Sequence, residues 1–131
     1  MSTVPQVDSD VLVKLMQDKT KKAGQDYVVV DVRDHDYRGG NIVNAINLPS
    51  KTFRHGLPEF AKKYGHVPLV FFHCMQSQTR GPKAARIYQE YVDDHNMSQK
   101  VMVLRGGFQS WVAQFMKCSD LVTNYDPSVW E

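Results

Sequence analysis

Apolar positions along this chain fall into two alternating patterns: short, nearly unbroken runs, and longer stretches with helical spacing. Leu12, Leu15 and Met16 share one face of a predicted helix over residues 9–18, with Ser9 or Asp8 placed to cap it. The run YVVVDV at 27–32 is apolar almost without alternation, as expected of a strand covered on both faces. A polar turn, RDHDYRGG, leads to a weaker strand at 45–48. Leu57, Phe60, Ala61 and Tyr64 return to helical spacing, and Gly65 is placed to stop that helix. VPLVFF at 67–72 predicts a second buried strand, followed by a helix carrying Ala84, Ile87, Tyr88, Tyr91 and Val92 on one face. VMVL at 101–104 predicts another buried strand, and Phe108, Trp111, Val112, Phe115 and Met116 a last helix. Such an alternation predicts an α/β fold built on a mostly parallel sheet. No repeat, low-complexity tract or linker interrupts it, so residues 1–131 are expected to form one domain, with a packed or loose tail.

Composition narrows the class. A chain of 131 residues can bury a real core without disulfide staples. The formal net charge is +2, and Lys and Arg are scattered among acids, so no basic stripe suggests a nucleic-acid partner. The opening MSTVPQVDSD lacks the basic and apolar regions of a secretory signal, and no apolar run approaches the length of a membrane span. Only two cysteines occur, Cys74 and Cys118, without any C-x-x-C, which suits a reducing compartment. A cytoplasmic or nuclear location without a membrane partner is therefore expected. His35, His55, His66 and His95 show no metal-ligand spacing, so no metal site is expected.

The stretch HCMQSQTRGP carries the chemistry. Cys74 stands at the C-terminal tip of a buried strand, ahead of a helix, which is where parallel sheets bind ligands. Five residues separate it from Arg80, and Gly81-Pro82 follows. Gly81 is expected to supply an unusual backbone conformation at the loop's exit, and Pro82 suits a first helical turn. A loop wound about this point aims backbone N–H groups inward as an anion nest, and Arg80 adds a planar fork matched to a tetrahedral oxyanion. Helix dipole, amides and guanidinium all favour a thiolate over a thiol. A lone cysteine after a strand is ordinarily a small core residue, but this setting favours a nucleophile. His73 is adjacent in an extended segment and so faces the other way. It is expected to hydrogen-bond beneath the loop rather than act on Cys74.

HCMQSQTRGPKAA, with VVVDVRDHDYRGGNIVNAINLP upstream and LRGGFQSW downstream, resembles the rhodanese-fold family of M-phase-inducer phosphatases and fungal arsenate reductases, most of all its small single-domain members. The resemblance implies a five-stranded parallel sheet flanked by helices, and a Cys-phosphate intermediate formed without a cofactor. Cys74 would be the nucleophile and Arg80 the oxyanion clamp. Backbone N–H groups of Met75, Gln76, Ser77, Gln78, Thr79 and Arg80 would line the cradle, and the Ser77 hydroxyl would steady the thiolate. Asp31 and Arg33 match the family's strand-end D-x-R, taken as a structural ion pair, while Gly39, Gly40, Gly106 and Gly107 match its turns. Sulfurtransferases of this fold carry a loop one residue shorter, which argues against sulfur transfer here.

Cell-cycle members carry acidic residues within the loop, where this chain has Met75 and Thr79. Their long N-terminal regulatory region has no counterpart, so a cell-cycle role is not expected. Leaving-group protonation must come from outside the loop; Asp34 and Asp36 stand in the neighbouring turn but fit a solvated polar loop better. The expected activity is therefore a cysteine-dependent phosphatase acting on a phosphorylated protein or small oxyanion. The alternative is an arsenate reductase using the same cysteine with glutathione or glutaredoxin as co-substrate. A non-catalytic oxyanion- or phosphopeptide-binding module ranks lower, since binding needs no thiol. Cys118 is not expected to act as a resolving cysteine.

Overall fold

A computed structural model describes residues 3–130. The chain runs β1 (Gln6–Val7), α1 (Ser9–Gln17), β2 (Tyr27–Asp31), β3 (Asn41–Ile42), β4 (Ile46–Asn47), α2 (Phe53–Tyr64), β5 (Leu69–His73), α3 (Arg80–Asp94), β6 (Lys100–Leu104), α4 (Gly107–Phe115) and β7 (Val122–Thr123), with 3-10 turns at Ser50–Thr52 and Pro127–Trp130. The five-stranded sheet has the order β1-β6-β5-β2-β4, and every pairing in it is parallel. The α/β fold with a parallel five-stranded sheet is therefore present.

The three apolar runs form the central strands because both of their faces are covered. Val28, Val30, Val70, Phe72, Val101 and Val103 face a cluster with Phe53, Leu57 and Phe60 of α2 and Ala84, Tyr88 and Val92 of α3. The alternate residues, among them Val29, Phe71, Met102 and Leu104, face Leu12 of α1 and Phe108, Trp111 and Val112 of α4. Burial of each such side chain contributes about 1.5–3 kcal/mol, so both helical layers are needed to hold the sheet. The alternation continues past the strand: Cys74 belongs to the α2/α3 side, whereas the His73 ring stacks 6.4 Å from Phe108 on the α4 side.

Several boundaries differ from the sequence expectation. The strand at 45–48 contracts to Ile46–Asn47, and the one at 67–72 shifts to Leu69–His73, past Pro68, which has no N–H to donate. Helix α2 begins at Phe53, a turn before the periodic residues, and contains Pro58. Asp8 occupies the N-cap position of α1 but makes no side-chain cap bond; its carboxylate pairs with Arg105 instead. The tail is packed: β7 pairs antiparallel with β3, and Trp130 Nε1 donates to the Gly39 carbonyl at 2.9 Å. Among the described residues no helix is long and apolar enough to cross a membrane.

Parallel strands deliver their C-terminal ends to one edge. In register, Asp31 lies beside His73, so the turn after β2 and the loop after β5 leave the sheet side by side. The Arg105-Gly106 turn after β6 emerges on the other side of that loop.

Candidate active site

The loop from Cys74 to Arg80 wraps around a sulfur. Cys74 is 3% exposed, and its Sγ accepts hydrogen bonds from the Ser77 amide at 3.2 Å and the Gly81 amide at 3.3 Å. The geometry depends on Ser77, whose φ of 56° lies in the left-handed region. A non-glycine residue there costs roughly 1–2 kcal/mol, and the turn it makes aims its N–H at the sulfur. Two expectations are corrected. The unusual backbone belongs to Ser77 and not to Gly81, which is helical within α3. Gly81 is required for space, because a Cβ would lie 3.2 Å from the Cys74 nitrogen and from the His73 Cα. The Ser77 hydroxyl does not hold the sulfur either: its Oγ is buried without a hydrogen-bond partner among the described residues, and the amide holds the sulfur instead.

The loop rests on its neighbours through backbone contacts. His73 Nδ1 donates to the Cys74 carbonyl at 3.0 Å, which assigns the ring proton to Nδ1 because a carbonyl can only accept. Its Nε2, left with a lone pair, sits 3.8 Å from the Asp31 carboxylate without a hydrogen bond. Burial pushes the His73 pKa down, and the Asp31 charge opposes this only in part. A neutral imidazole on the opposite face cannot serve Cys74 as base. From the other side, Phe108 N donates to Cys74 O at 2.9 Å and Gln109 N to Met75 O at 2.8 Å. Gly107, with φ of 60°, lets α4 approach this closely; a Cβ there would lie 2.6 Å from both carbonyl oxygens.

Asp34 and Asp36 are not a solvated turn, as the sequence suggested. Asp36 receives Arg80 Nη1 at 2.8 Å and Nη2 at 2.7 Å, while Asp34 receives Nη1 at 3.3 Å. These bonds use three of the five guanidinium N–H donors. The Nε–H and the second Nη2–H, the side-on pair, remain for a bidentate oxyanion. Pairing with Arg80 holds the Asp36 carboxyl near pKa 2 despite partial burial. Partial burial of Asp34 is outweighed by the Ser50 hydroxyl, the Lys51 amide and Arg80, so its carboxyl also lies below the usual range. Neither carboxyl carries a proton to donate at neutral pH.

The turn bearing these acids is anchored by the D-x-R pair. Arg33 is fully buried and reaches Asp31 through Nε (3.0 Å) and Nη2 (2.8 Å), and Nη2 also donates to the Gly40 carbonyl at 2.9 Å. Its guanidinium lies 4.3 Å from the Phe108 ring centroid. A chain of contacts thus runs from Asp31 through Arg33 to the 36–40 turn, and from Asp36 to Arg80.

Two substitutions separate clamp from positioning residue. Arg80→Lys is expected to lower kcat/KM for an oxyanion substrate on the order of 10²-fold, because a point charge replaces paired planar donors. Asp36→Ala should cost about tenfold, mostly in KM, without altering the pH profile, since the lost group is an aiming carboxylate and not an acid. An Arg80→Lys protein as fast as the unaltered one, or an acid limb that disappears with Asp36, would overturn these assignments.

Cys74, Gln76, Gln78, Thr79, Arg80 and Asp36 line a cavity of about 260 Å³ above the sulfur, together with Met75. Cys118 is half-buried and packs with the α1/α4 cluster, across the sheet from Cys74. Known proteins share this arrangement of chain. A CDC25-like phosphatase of Saccharomyces cerevisiae is 31% identical, over 99% of this chain and 96% of that protein. A dual specificity phosphatase of Schizosaccharomyces pombe is 30% identical, over 88% of this chain and 93% of that protein. Among solved structures, an As/Sb reductase of Leishmania major superposes with a TM-score of 0.75 at 26% identity, covering 92% of this chain and 85% of that one. The family model for the rhodanese-like domain matches residues 10–114. With that match over most of its length, the chain belongs to the rhodanese-like domain family.

Proposed function

We propose that this protein is a cysteine-dependent phosphatase acting through a phosphorylated Cys74. The observation that carries the reading is the sulfur held by two loop amides in a small cavity that Arg80 also lines. The Cys74 thiolate attacks phosphorus, the ester P–O bond breaks, and the departing oxygen takes a proton from solvent. Water then attacks the same phosphorus, the S–P bond breaks, and inorganic phosphate leaves with the thiolate regenerated. Loop amides and Arg80 stabilise the charge on the equatorial oxygens throughout. No cofactor enters this sequence. Its substrate is a phosphorylated protein met in the cytoplasm or nucleus.

The same loop supports a second reading, favoured by the likeness to the Leishmania reductase. Arsenate presents the same tetrahedral face, and the thiolate would form an S–As(V) bond as one As–O bond breaks and its oxygen leaves, protonated by solvent, as water. An external thiol, glutathione or glutaredoxin, would then attack Cys74 sulfur. The two sulfurs would end as a mixed disulfide, and arsenic would take the electron pair. Cys118 lies on the wrong face of the sheet to play that part.

Leaving groups distinguish the phosphatase. General acids contribute about 10²–10⁴-fold to such reactions, and both nearby carboxyls are held ionised. p-Nitrophenyl phosphate, whose phenolate needs little protonation, should be turned over at least about 100-fold faster than an alkyl phosphate. The two should be measured beside arsenate with glutathione and glutaredoxin. Arsenate reduction without aryl phosphate hydrolysis at any pH would reverse the assignment.

A further inference from the structure

A cleft of about 680 Å³ opens beside the cradle, on the far side of Arg80, and is more than twice the size of the 260 Å³ cavity above Cys74. Thr79 and Arg80 line both, so they form the wall between them. The cleft has an apolar floor, with Phe53 at the start of α2 and Ile87 on α3, and a rim of Lys51, Arg54, His55 and Lys83. Among the described residues no acidic side chain lines it. Lys51, Arg54 and Lys83 are not in any ion pair among the described residues. Asp34, which accepts from the Lys51 amide beside the rim, is already engaged by the Ser50 hydroxyl and Arg80 as well.

A concave surface with one sign of charge concentrates ions of the other sign. Inorganic arsenate or free phosphate would fill the cradle and leave this cleft idle. An occupant that uses both parts of the cleft needs carbon for the floor and an anionic group for the rim. Consecutive residues of a polypeptide are about 3.8 Å apart between Cα atoms, so a residue one or two places from a phosphorylated side chain reaches across the shared wall. An Asp or Glu side chain supplies both methylene and carboxylate.

We infer that this cleft is the subsite for an acidic residue flanking the phosphorylated side chain of a polypeptide substrate. The inference rests on the phosphatase reading and specifies the substrate's chemistry. Lys51, Arg54 and Lys83 select the flanking carboxylate, and Arg80 with the loop amides holds the phosphate.

The test separates this subsite from the chemistry. Fluorescent phosphotyrosine peptides that differ only in flanking Glu or Gln are titrated onto the Cys74→Ser protein, which binds without turnover. Turnover of p-nitrophenyl phosphate by the unaltered protein is measured in parallel. The Glu-flanked peptide should bind about five- to tenfold more tightly, and the ratio should approach one in about 0.5 M salt, as exposed charge pairs are screened. Adding Lys51→Glu and Lys83→Glu should invert or abolish the ratio; both peptides see the same protein, so a general loss divides out. Equal affinity of the two peptides at low salt would overturn the subsite, whatever the p-nitrophenyl phosphate rate. Tighter binding of glutathione than of the Glu-flanked peptide would also overturn it and assign the cleft to a small thiol. A clear Glu preference without p-nitrophenyl phosphate turnover would uphold the subsite and remove the phosphatase reading.

Discussion

Replacing Cys74 by serine is expected to abolish phosphatase turnover, by at least about 10⁴-fold, while leaving the fold and oxyanion binding close to those of the unaltered protein. The hydroxyl fits the space, and the Ser77 and Gly81 amides that now point at Sγ would still find an acceptor. What it lacks is a route to the anion. A serine nucleophile needs a neighbouring base, and the nearest imidazole, His73, is buried on the opposite face with its proton committed to the Cys74 carbonyl. Asp34 and Asp36 are occupied by Arg80. A thiol depends less on such a partner, because sulfur is intrinsically the stronger nucleophile. The check is a steady-state rate with p-nitrophenyl phosphate beside the thermal stabilisation given by added phosphate. A serine protein with a rate within about tenfold of the original would show that Cys74 is not the nucleophile.

What the sequence disclosed depended on how local each signal is. The strands at 27–31, 69–73 and 100–104 were legible because both faces are apolar, and each forms a central strand. The loop was legible because its parts, Cys74, Arg80 and Gly81-Pro82, stand within nine residues of one another. Strands β1, β3 and β7 were not, since two residues carry no periodicity and each exists only through its partner. The left-handed Ser77 left no trace because serine carries no mark of that conformation. The pairing of Asp34 and Asp36 with Arg80 spans 46 and 44 residues. Recognising it required knowing that β2 and β5 are neighbours with Asp31 beside His73. Without that register, RDHDYRGG could only be taken for a hydrated turn. The sheet order brings these two aspartates onto the Arg80 guanidinium.

The same register makes Arg33 the most consequential side chain outside the loop. Arg33→Ala is expected to cost about 3–5 kcal/mol of folding stability, the range for breaking a buried pair and stranding one charge. Asp31 would stay fully buried, keeping the Arg33 amide at 3.0 Å but losing every guanidinium bond. The carbonyl of Gly40 would also lose its donor. Asp31→Asn should cost less, because Arg33 would keep Gly40 O and the Phe108 ring face. Urea unfolding checks both: with a slope of about 1–3 kcal/mol per molar for small proteins, the alanine protein should lose at least about 1 M in midpoint. An Arg33→Ala protein within about 1 kcal/mol of the original would mean that the pair is not integral to the fold. A double replacement, Asp31→Leu with Arg33→Met, separates stability from function. Apolar residues of similar volume can restore what the pair contributes, so the midpoint should recover. They cannot donate to Gly40 O, nor to the more distant Arg38 and Asp36 carbonyls at 3.4 and 3.5 Å. The 36–40 turn would then be released, Asp36 would no longer aim Arg80, and activity should remain depressed about tenfold in a protein that folds well. Full activity in that double replacement would show that Arg33 serves the core alone and that the path from the strand end to the clamp carries nothing.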